Sequence, residues 1–461
     1  MKIGFISLGC PKNLVDTEVM MGMLQARGHE LTPRAEEAEA LVVNTCSFIE
    51  PAQQESVNTI LEMAGHKKTG RARRLIVAGC LVERYRNDIR VEIPEVDAVV
   101  GTNELARIVA ACEGGPESQA EAAPAEAYLY HELTPRVRAT PPHMAYIKIA
   151  EGCDHPCTFC VIPQYRGRFR SRQVESVERE ARGLFEQGVR EISLIGQDTT
   201  SFGQDWGLQD GLAVLLERLA RLDNAGWVRV LYVYPNRVTE RLLHTIAAHP
   251  ALCKYIDVPL QHASAPVLKR MKRGGSGDIF LKLIERMRRT IPGVAVRTSL
   301  IAGFPGETER DFEQMCAFVE AAQLDHVGVF AYSDEATSAS FGLDGKVRAA
   351  TIRRRKRQLL AMQRKISRAR LKRLVGGEMA ILVEGPSKET ELLWEGRLQG
   401  QAAEIDGKVY INDIEGQAPE PGTFGRIRIT DSKDYDLVGT LLERDRSGAR
   451  RPARELLRVL Q

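Results

Sequence analysis

The sequence predicts an α/β protein in three parts: an N-terminal parallel α/β sheet domain, a partial (βα)6 barrel, and a small antiparallel β-barrel at the C-terminal end. Three observations carry that expectation. Residues 1–112 alternate strand-like and helix-like segments. Six apolar segments of strand length, separated by helix-like stretches, follow between residues 145 and 331. Beyond Gly376 and Gly377 the pattern changes to short, closely spaced strands.

In the first domain the expected strands are 3–8, 40–43 and 75–78, with 96–100 as a candidate fourth, and an amphipathic run at 16–27 lies between the first two. Residues 113–143 turn rich in Ala, Glu, Pro and Gly and read as a linker. The barrel domain, 144–375, has expected strands 145–150, 191–195, 227–233, 255–260, 294–301 and 326–331. The segments after these strands carry polar residues: Gln197 and Asp198, Tyr234, Gln261 and His262, Gly303 to Glu307, Tyr332 and Ser333. Barrel enzymes build their sites at the C-terminal rim of the strands, so these residues are expected to converge. Residues 353–373 contain eleven Lys or Arg and no acid, interleaved with apolar residues at helical spacing, which predicts a basic amphipathic helix. The C-terminal barrel, 376–445, has expected strands 379–383, 391–398, 408–411, 423–429 and 436–442, and a basic tail occupies 446–461.

With 461 residues, 43% hydrophobic and 27% charged, the chain has the composition of a large globular protein. A net charge of +3 says little until it is resolved by segment. No apolar run approaches the ~18 residues of a membrane span. The first residues faintly suggest a lipoprotein signal, but the apolar part is short and lacks a charged leader, so they read as a strand and no membrane is expected. Nine cysteines in metal-like settings, without a dense disulfide framework, point to a reducing cytoplasm.

The chemistry concentrates in the cysteines. Cys153, Cys157 and Cys160 place three thiols within eight residues, directly after the first barrel strand. A closed zinc site or a complete iron-sulfur cube takes four protein ligands, so a trio leaves one coordination position open for a small molecule. Structural zinc, completed by His155 or a distant residue, is the alternative. A second trio is scattered in sequence but repeated in context: Cys10, Cys46 and Cys80 each follow an expected strand of the first domain. All three would leave the same edge of one parallel sheet, where such folds bind ligands. Cys112, Cys253 and Cys316 lack that setting and read as packing residues. Residues 301–307 (IAGFPGE) form a glycine-rich turn at a strand end, able to let backbone approach a ligand. Arg297, within a strand, would pair with a carboxylate if it faced inward.

The C-x3-C-x2-C spacing, with Phe159 before its last cysteine, resembles that of radical S-adenosylmethionine (SAM) enzymes. The whole chain resembles their methylthiotransferase family, through residues 9–16 (GCPKNLVD), 44–49 (NTCSFI), 152–160 (GCDHPCTFC), 194–198 (LIGQD), 255–262 (YIDVPLQH) and 329–333 (VFAYS). The resemblance implies a TIM-like radical SAM barrel, a C-terminal TRAM domain, and two 4Fe-4S clusters with SAM as cofactors. It assigns Cys153, Cys157 and Cys160 to the SAM-binding cluster and Cys10, Cys46 and Cys80 to an auxiliary one. Phe159, Gly196, Gln197, Gln261, Gly303, Gly306 and Glu307 become candidate SAM contacts. One SAM would methylate sulfur held at the auxiliary cluster; a second, cleaved with an electron from an external donor, would yield the radical that removes a hydrogen from the substrate carbon. Family members acting on protein add methylthio to the β-carbon of an aspartate in ribosomal protein uS12 of the small subunit, and this branch is the closer match. Relatives acting on a tRNA adenosine share every cluster ligand and form the rival reading; a non-catalytic metal-binding adaptor of ribosomes or RNA is a third. Charge bears on the choice independently. Residues 378–436 contain thirteen acidic and six basic residues, whereas RNA-binding surfaces are normally basic. An acidic barrel suits a basic protein partner, leaving RNA contact secondary, through the basic helix and tail.

Overall fold

The computed structural model describes residues 1–115, 128–390 and 392–444. The first domain contains strands β1 (Lys2–Ser7), β2 (Glu30–Thr32), β3 (Ala40–Thr45), β4 (Arg74–Gly79) and β5 (Ala98–Val100), all paired in parallel in the order β2-β1-β3-β4-β5. Helices cover both faces, which is why the central strands are continuous apolar runs: Leu41, Val42, Val43, Leu75, Ile76 and Val77 are fully buried. β2 has no sequence signal, because three residues are too short to show a period. Strand order reverses between β1 and β3, so the chain leaves these strands in opposite directions and opens a crevice above the sheet edge. Helices α1 (Pro11–Ala26), α2 (Glu50–Thr69) and α3 (Cys80–Glu92) start from that edge. α1 begins with proline, whose fixed φ and missing N–H suit the first helical position.

The expected linker is only partly one. Residues 116–127 lie outside the described residues, but 128–143 form a strap packed between α1 and the barrel. Glu18 is fully buried in mid-α1 and needs partners there. The strap supplies them: Arg136 Nη2 donates to Glu18 Oε2 at 2.6 Å and the Ala139 N–H donates to Glu18 Oε1 at 2.6 Å.

Six parallel strands follow: β6 (Met144–Lys148), β7 (Glu191–Ile195), β8 (Trp227–Val230), β9 (Tyr255–Asp257), β10 (Ala295–Ala302) and β11 (His326–Ala331). They form two three-stranded sheets, β8-β7-β6 and β9-β10-β11. The sheets meet through a bridge between Val228 and Leu252 and a 2.8 Å bond from the Val233 N–H to the Asp257 carbonyl, making an open half barrel. β8 and β9 are shorter than expected. β8 stops where Tyr232 turns left-handed (φ 63°), and β9 stops ahead of Pro259, which has no N–H to continue a ladder. The helices between strands bury one stripe each; the one over Gly277–Thr290 turns in Phe280, Leu283, Ile284 and Met287 and is capped by Ser276. The basic helix spans Ala349–Lys372 and lies against β11.

The C-terminal strands β12 (Glu378–Pro386), β13 (Trp394–Arg397), β14 (Val409–Ile414), β15 (Thr423–Ser432) and β16 (Leu437–Arg444) close into a barrel in the order β12-β13-β14-β16-β15. Ile381, Val383, Ile411, Ile427 and Ile429 fill it. One pairing corrects the all-antiparallel expectation: β14 and β16 run parallel, which lets five strands close on themselves. The expected strand 391–398 is confined to Trp394–Arg397, with Glu391 outside the described residues, as is the basic tail.

The loop after β13 plugs the base of the half barrel. Glu191 and Arg229, both fully buried, pair at 2.7 Å; Arg397 lies 2.8 Å from Glu191 and bonds Glu384 at 2.8 Å. Tyr146 and Tyr255 donate to Glu404 and Asp406 at 3.0 and 2.7 Å, and Arg229 donates to the Gln399 carbonyl at 2.6 Å. Arg297 does face inward, but its carboxylates are Asp257 at 2.8 Å and Asp406 at 3.6 Å, so it is a structural tie.

Burial alone would push the Glu384 carboxyl up, yet His143 and Arg397 outweigh it and hold the group at about 2. A depressed carboxylate contributes stability above its unfolded value near 4.5 that is lost as pH falls toward 2, here about 3 kcal/mol at most. The thermal midpoint is therefore expected to drop between pH 5 and 2, with a shallower drop in Glu384→Gln; superimposable acid profiles would contradict the assignment.

Candidate active site

The auxiliary trio follows from the sheet. Cys10 caps α1 after β1, Cys46 follows β3, and Cys80 opens α3 after β4, so all three leave one edge, two of them flanking the point where strand order reverses. Gly9 (φ 89°) is the only residue type that fits before Cys10: a Cβ there would sit 2.7 Å from the Cys46 Cβ and 2.9 Å from its Sγ. Asn13 ties the strand exits together, its Nδ2 donating to the Leu8 and Thr45 carbonyls at 3.1 and 2.8 Å. Its Oδ1 lies 3.7 Å from the Cys80 Sγ. Burial pushes the Cys80 thiol up to about 12, Arg166 opposes this, and the neighbouring Cys46 and Cys10 push it further. Burial and Cys10 likewise raise Cys46. Three thiolates placed so closely repel one another, and a bound cation is what ionises them together.

The second trio lies on the loop leaving the first barrel strand. The Cys153 N–H donates to the Gly167 carbonyl at 3.2 Å and the Cys160 N–H to the Cys157 carbonyl at 3.1 Å. Burial raises Cys153 to about 11 and Cys160 to about 12, with the companion thiols adding to it. Arg273 places Nη1 3.4 Å from the Cys157 Sγ, donates through Nη2 to the Pro259 carbonyl at 2.7 Å and stacks 4.6 Å over the Tyr234 ring. His155 is committed elsewhere: Nε2 is 2.6 Å from Asp198 Oδ2 and the ring stacks on Tyr234 at 3.7 Å. Among the described residues no three His, Cys, Asp or Glu side chains lie close enough to hold a single metal ion. A cube makes a different demand, since each cysteine binds its own iron. One trio spread over three strand exits and another on a single loop, each with a guanidinium beside a sulfur to offset cluster charge, fit such a group.

A buried ion network joins the trios. Lys148 bonds Asp16 and Glu151, each at 2.5 Å, and Arg166 Nη1 lies 3.0 Å from both acids. Arg166 Nη2 donates to Asn13 Oδ1 at 2.6 Å and lies 3.8 Å from the Cys80 Sγ. Burial opposes the Glu151 charge, but Arg166 and Lys148 prevail and hold that carboxyl far below the usual range. Glu151 is two residues before Cys153, so the network is rooted at both trios.

The structure sorts the candidate cofactor contacts. Phe159 packs against the barrel core. The Gly196 carbonyl accepts from Lys12 at 3.4 Å. Gln197 donates to Glu151 at 2.8 Å and keeps a buried Oε1 with no protein partner. The Gln261 backbone pairs with Ser299 and Ile301 at 2.8 and 2.7 Å. Gly303 (φ 84°) and Gly306 (φ 85°) abut Ile352 and Arg270 of the chain itself. Glu307 is spent within its turn: it accepts from the Gly303 N–H at 2.6 Å and from Arg355 at 2.8 Å, and His262 lies 3.5 Å away. It holds the turn's shape, because a fully buried carboxylate needs these donors itself. Sequence reasoning missed Arg166, Arg273, Tyr232 and the role of Lys12. Lys12, Asn13 and Asp16 lie inside the quoted motif at residues 9–16, whereas the two arginines carry no local signal.

A half barrel with a three-thiol loop at its first strand exit, joined by buried charge to a second trio, defines a radical SAM enzyme with an auxiliary cluster domain. Residues 147–319 match the Radical SAM superfamily, 375–442 the TRAM domain, and 2–101 the uncharacterized protein family UPF0004. The chain is 68% identical over 444 residues to the ribosomal protein uS12 methylthiotransferase RimO of Solibacter usitatus, covering 96% of this chain and 95% of that one. It is 58% identical to the RimO of Koribacter versatilis, over 96% of each. The chain belongs to the RimO family of radical SAM methylthiotransferases, whose cofactors are SAM and 4Fe-4S clusters. The radical SAM methyltransferase TsrM of Kitasatospora setae shares the fold, with a TM-score of 0.53 at 15% identity over 72% of each chain.

Arg166→Met would leave Asp16 and Glu151 sharing Lys148 and would strip the cation from Cys80. The expected result is a loss of about 3–5 kcal/mol in stability, with iron lost preferentially from the auxiliary trio and partial recovery in Arg166→Lys. Denaturant unfolding and iron analysis after anaerobic reconstitution read this; wild-type values in the Met variant would refute it.

Proposed function

We propose that this protein replaces a hydrogen on the β-carbon of an aspartate in ribosomal protein uS12 with a methylthio group. The observation that carries the reading is the continuous buried connection from Cys80 through Arg166 and Glu151 to the Cys153 loop, which makes one site of two trios. Cys153, Cys157 and Cys160 would hold the SAM-binding cluster; Cys10, Cys46 and Cys80 would hold the auxiliary one. When bound, the first group supplies the electron that cleaves SAM and the second presents the sulfur to be transferred. The chain's own residues position and shield: Arg273 and Arg166 offset thiolate charge, Asn13 fixes the strand exits, and the His155–Asp198 pair holds the cysteine loop against Tyr234. Gln197 Oε1, buried and unpartnered, is the candidate polar contact best placed to accept from SAM.

The substrate reading rests on the relatives' shared name and on charge. The acidic C-terminal barrel suits a basic protein partner better than phosphate. Arg353, Arg357 and Lys365 on the exposed face of the long helix offer a secondary contact to ribosomal RNA, with the small subunit as the working partner. No helix among the described residues is long and apolar enough to cross a membrane; on this reading the enzyme would work in the cytoplasm, beside its ribosomal substrate, with an external electron donor.

Anaerobic reconstituted enzyme given SAM, sulfide and a reductant should add one methylthio group to uS12 and none to tRNA, as read by mass spectrometry; the reverse outcome would overturn the reading. Cys157→Ala is expected to abolish release of 5'-deoxyadenosine, whereas Cys46→Ala should still release it without transferring methylthio. Equal cleavage by Cys157→Ala and wild type would remove the first assignment.

A further inference from the structure

Among the described residues Lys12 is a buried lysine with no acid in ion-pair contact: burial works against its charge, and Cys10, Asp257 and Glu151 favour it only from further off. It stands in the first turn of α1, two residues from Cys10, and is 8% exposed. Its ammonium reaches from the first domain to the barrel rim, where it meets the Gly196 carbonyl at 3.4 Å and lies 3.2 Å above the Tyr232 ring. An ammonium has three donors, and one long carbonyl contact leaves most of that capacity unused. Of the neighbouring cations, Lys148 and Arg166 are matched by Asp16 and Glu151 and Arg297 by Asp257, while Arg273 has a short bond to the Pro259 carbonyl at 2.7 Å and lies beside Cys157. A buried charge is normally paired or coordinated.

Tyr232 gives a second, independent sign. A tyrosine at φ 63° is a backbone outlier, and such conformations persist only where the surroundings enforce them. Asp257 Oδ2 accepts the Tyr232 N–H at 3.0 Å, and the Tyr232 carbonyl accepts the Thr199 N–H at 3.1 Å. That clamp holds the ring under the ammonium. Lys12 and Tyr232, from different domains, thus make a preformed cationic seat beside the auxiliary trio.

We infer that Lys12 is a positioning residue that binds the side-chain carboxylate of the substrate aspartate. Resting on the reading above, this assigns the specificity of the site: a carboxylate seated on Lys12 puts the adjoining β-carbon next to the Cys10 end of the auxiliary trio. It also supplies the missing counter-charge. A nucleobase carries no anionic group to fill the same seat, so Lys12 selects an acidic side chain over adenine.

The test uses the full-length protein with both clusters reconstituted and a uS12 peptide spanning the aspartate that the wild type modifies. Peptide binding is compared with that of the same peptide carrying Asn at that position. Wild type is expected to prefer Asp by about tenfold or more. Lys12→Met should bring the ratio near one and raise KM for the Asp peptide more than it lowers kcat, while Lys12→Arg should restore the preference. An Asp-to-Asn ratio in Lys12→Met equal to wild type would overturn the inference. So would loss of iron and sulfide from that variant, since Lys12 would then serve the cluster, or a raised KM for SAM with peptide affinity unchanged. Failure of the wild type to modify any uS12 peptide is a separate result, which removes the substrate reading beneath the inference.

Discussion

The structure depends on one buried ionic arrangement, Lys148 and Arg166 against Asp16 and Glu151. The two acids come from different domains, and each basic group spans both. Such a network is weak evidence for stability, because desolvating four charges costs about what their attraction returns. Its consequence is positional. An apolar contact would tolerate sliding; four charges with fixed hydrogen-bond directions do not. Cys80 and Asn13 hang from one end of it through Arg166, and the Cys153 loop begins two residues past the other. The distance between the trios is therefore set by side chains that neither trio contains.

The half barrel needs that precision because it is open. Its rim is completed by the first domain, through α1 and the strap, and its base by the loop of the C-terminal barrel. The two ends are built differently. At the base Glu191, Arg229 and Arg397 pair with one another, and the inward tyrosines find Glu404 and Asp406. At the rim Lys12 and Gln197 Oε1 remain without such partners. Ion pairs within the protein dominate the base, whereas the rim carries a lysine and an amide oxygen that no acid or donor of the protein matches, as a ligand-binding face requires.

Much of this was legible in the sequence, for physical reasons that also mark the limit. The Cys153 trio has a local spacing, and the Cys10, Cys46 and Cys80 trio a repeated context, so both could be read from short windows. The strands and the basic helix followed from periodicity. What escaped was whatever depends on a distant partner. Glu307 looked like a ligand contact because it follows a glycine turn, yet Arg355, far along the chain, claims it. Arg166 and Arg273 sit in stretches with no motif and acquire meaning only beside Cys80 and Cys157. The segment at 128–143 reads as a linker by composition, but Glu18 turns it into a packed strap. β8 and β9 look longer in sequence because apolar residues continue past the points where Tyr232 turns the backbone and Pro259 interrupts the ladder. The parallel pairing of β14 with β16 is a property of barrel closure, which no single strand encodes.

The same distinction governs the charge argument. Eleven cations within 353–373 suggest a strong polyanion surface if counted from sequence. The fold uses several of them internally: Arg355 binds Glu307 and Glu309, Arg370 binds Asp325, and Arg368 meets Asp434 at 2.5 Å. Those charges anchor the helix to the half barrel and to the acidic C-terminal barrel, and they are not free to displace counterions from phosphate. Arg353, Lys356, Arg357, Lys365, Lys372 and Arg373 have no acidic partner among the described residues and could meet a polyanion, beside a barrel that is itself acidic. The charge run is thus divided: one part ties the helix to the half barrel and, at Asp434, to the C-terminal barrel, and the other part faces outward. The acidic barrel, and at the rim a buried Lys12 with no acid in ion-pair contact among the described residues, are the two electrostatic features that suit a protein substrate presenting a carboxylate.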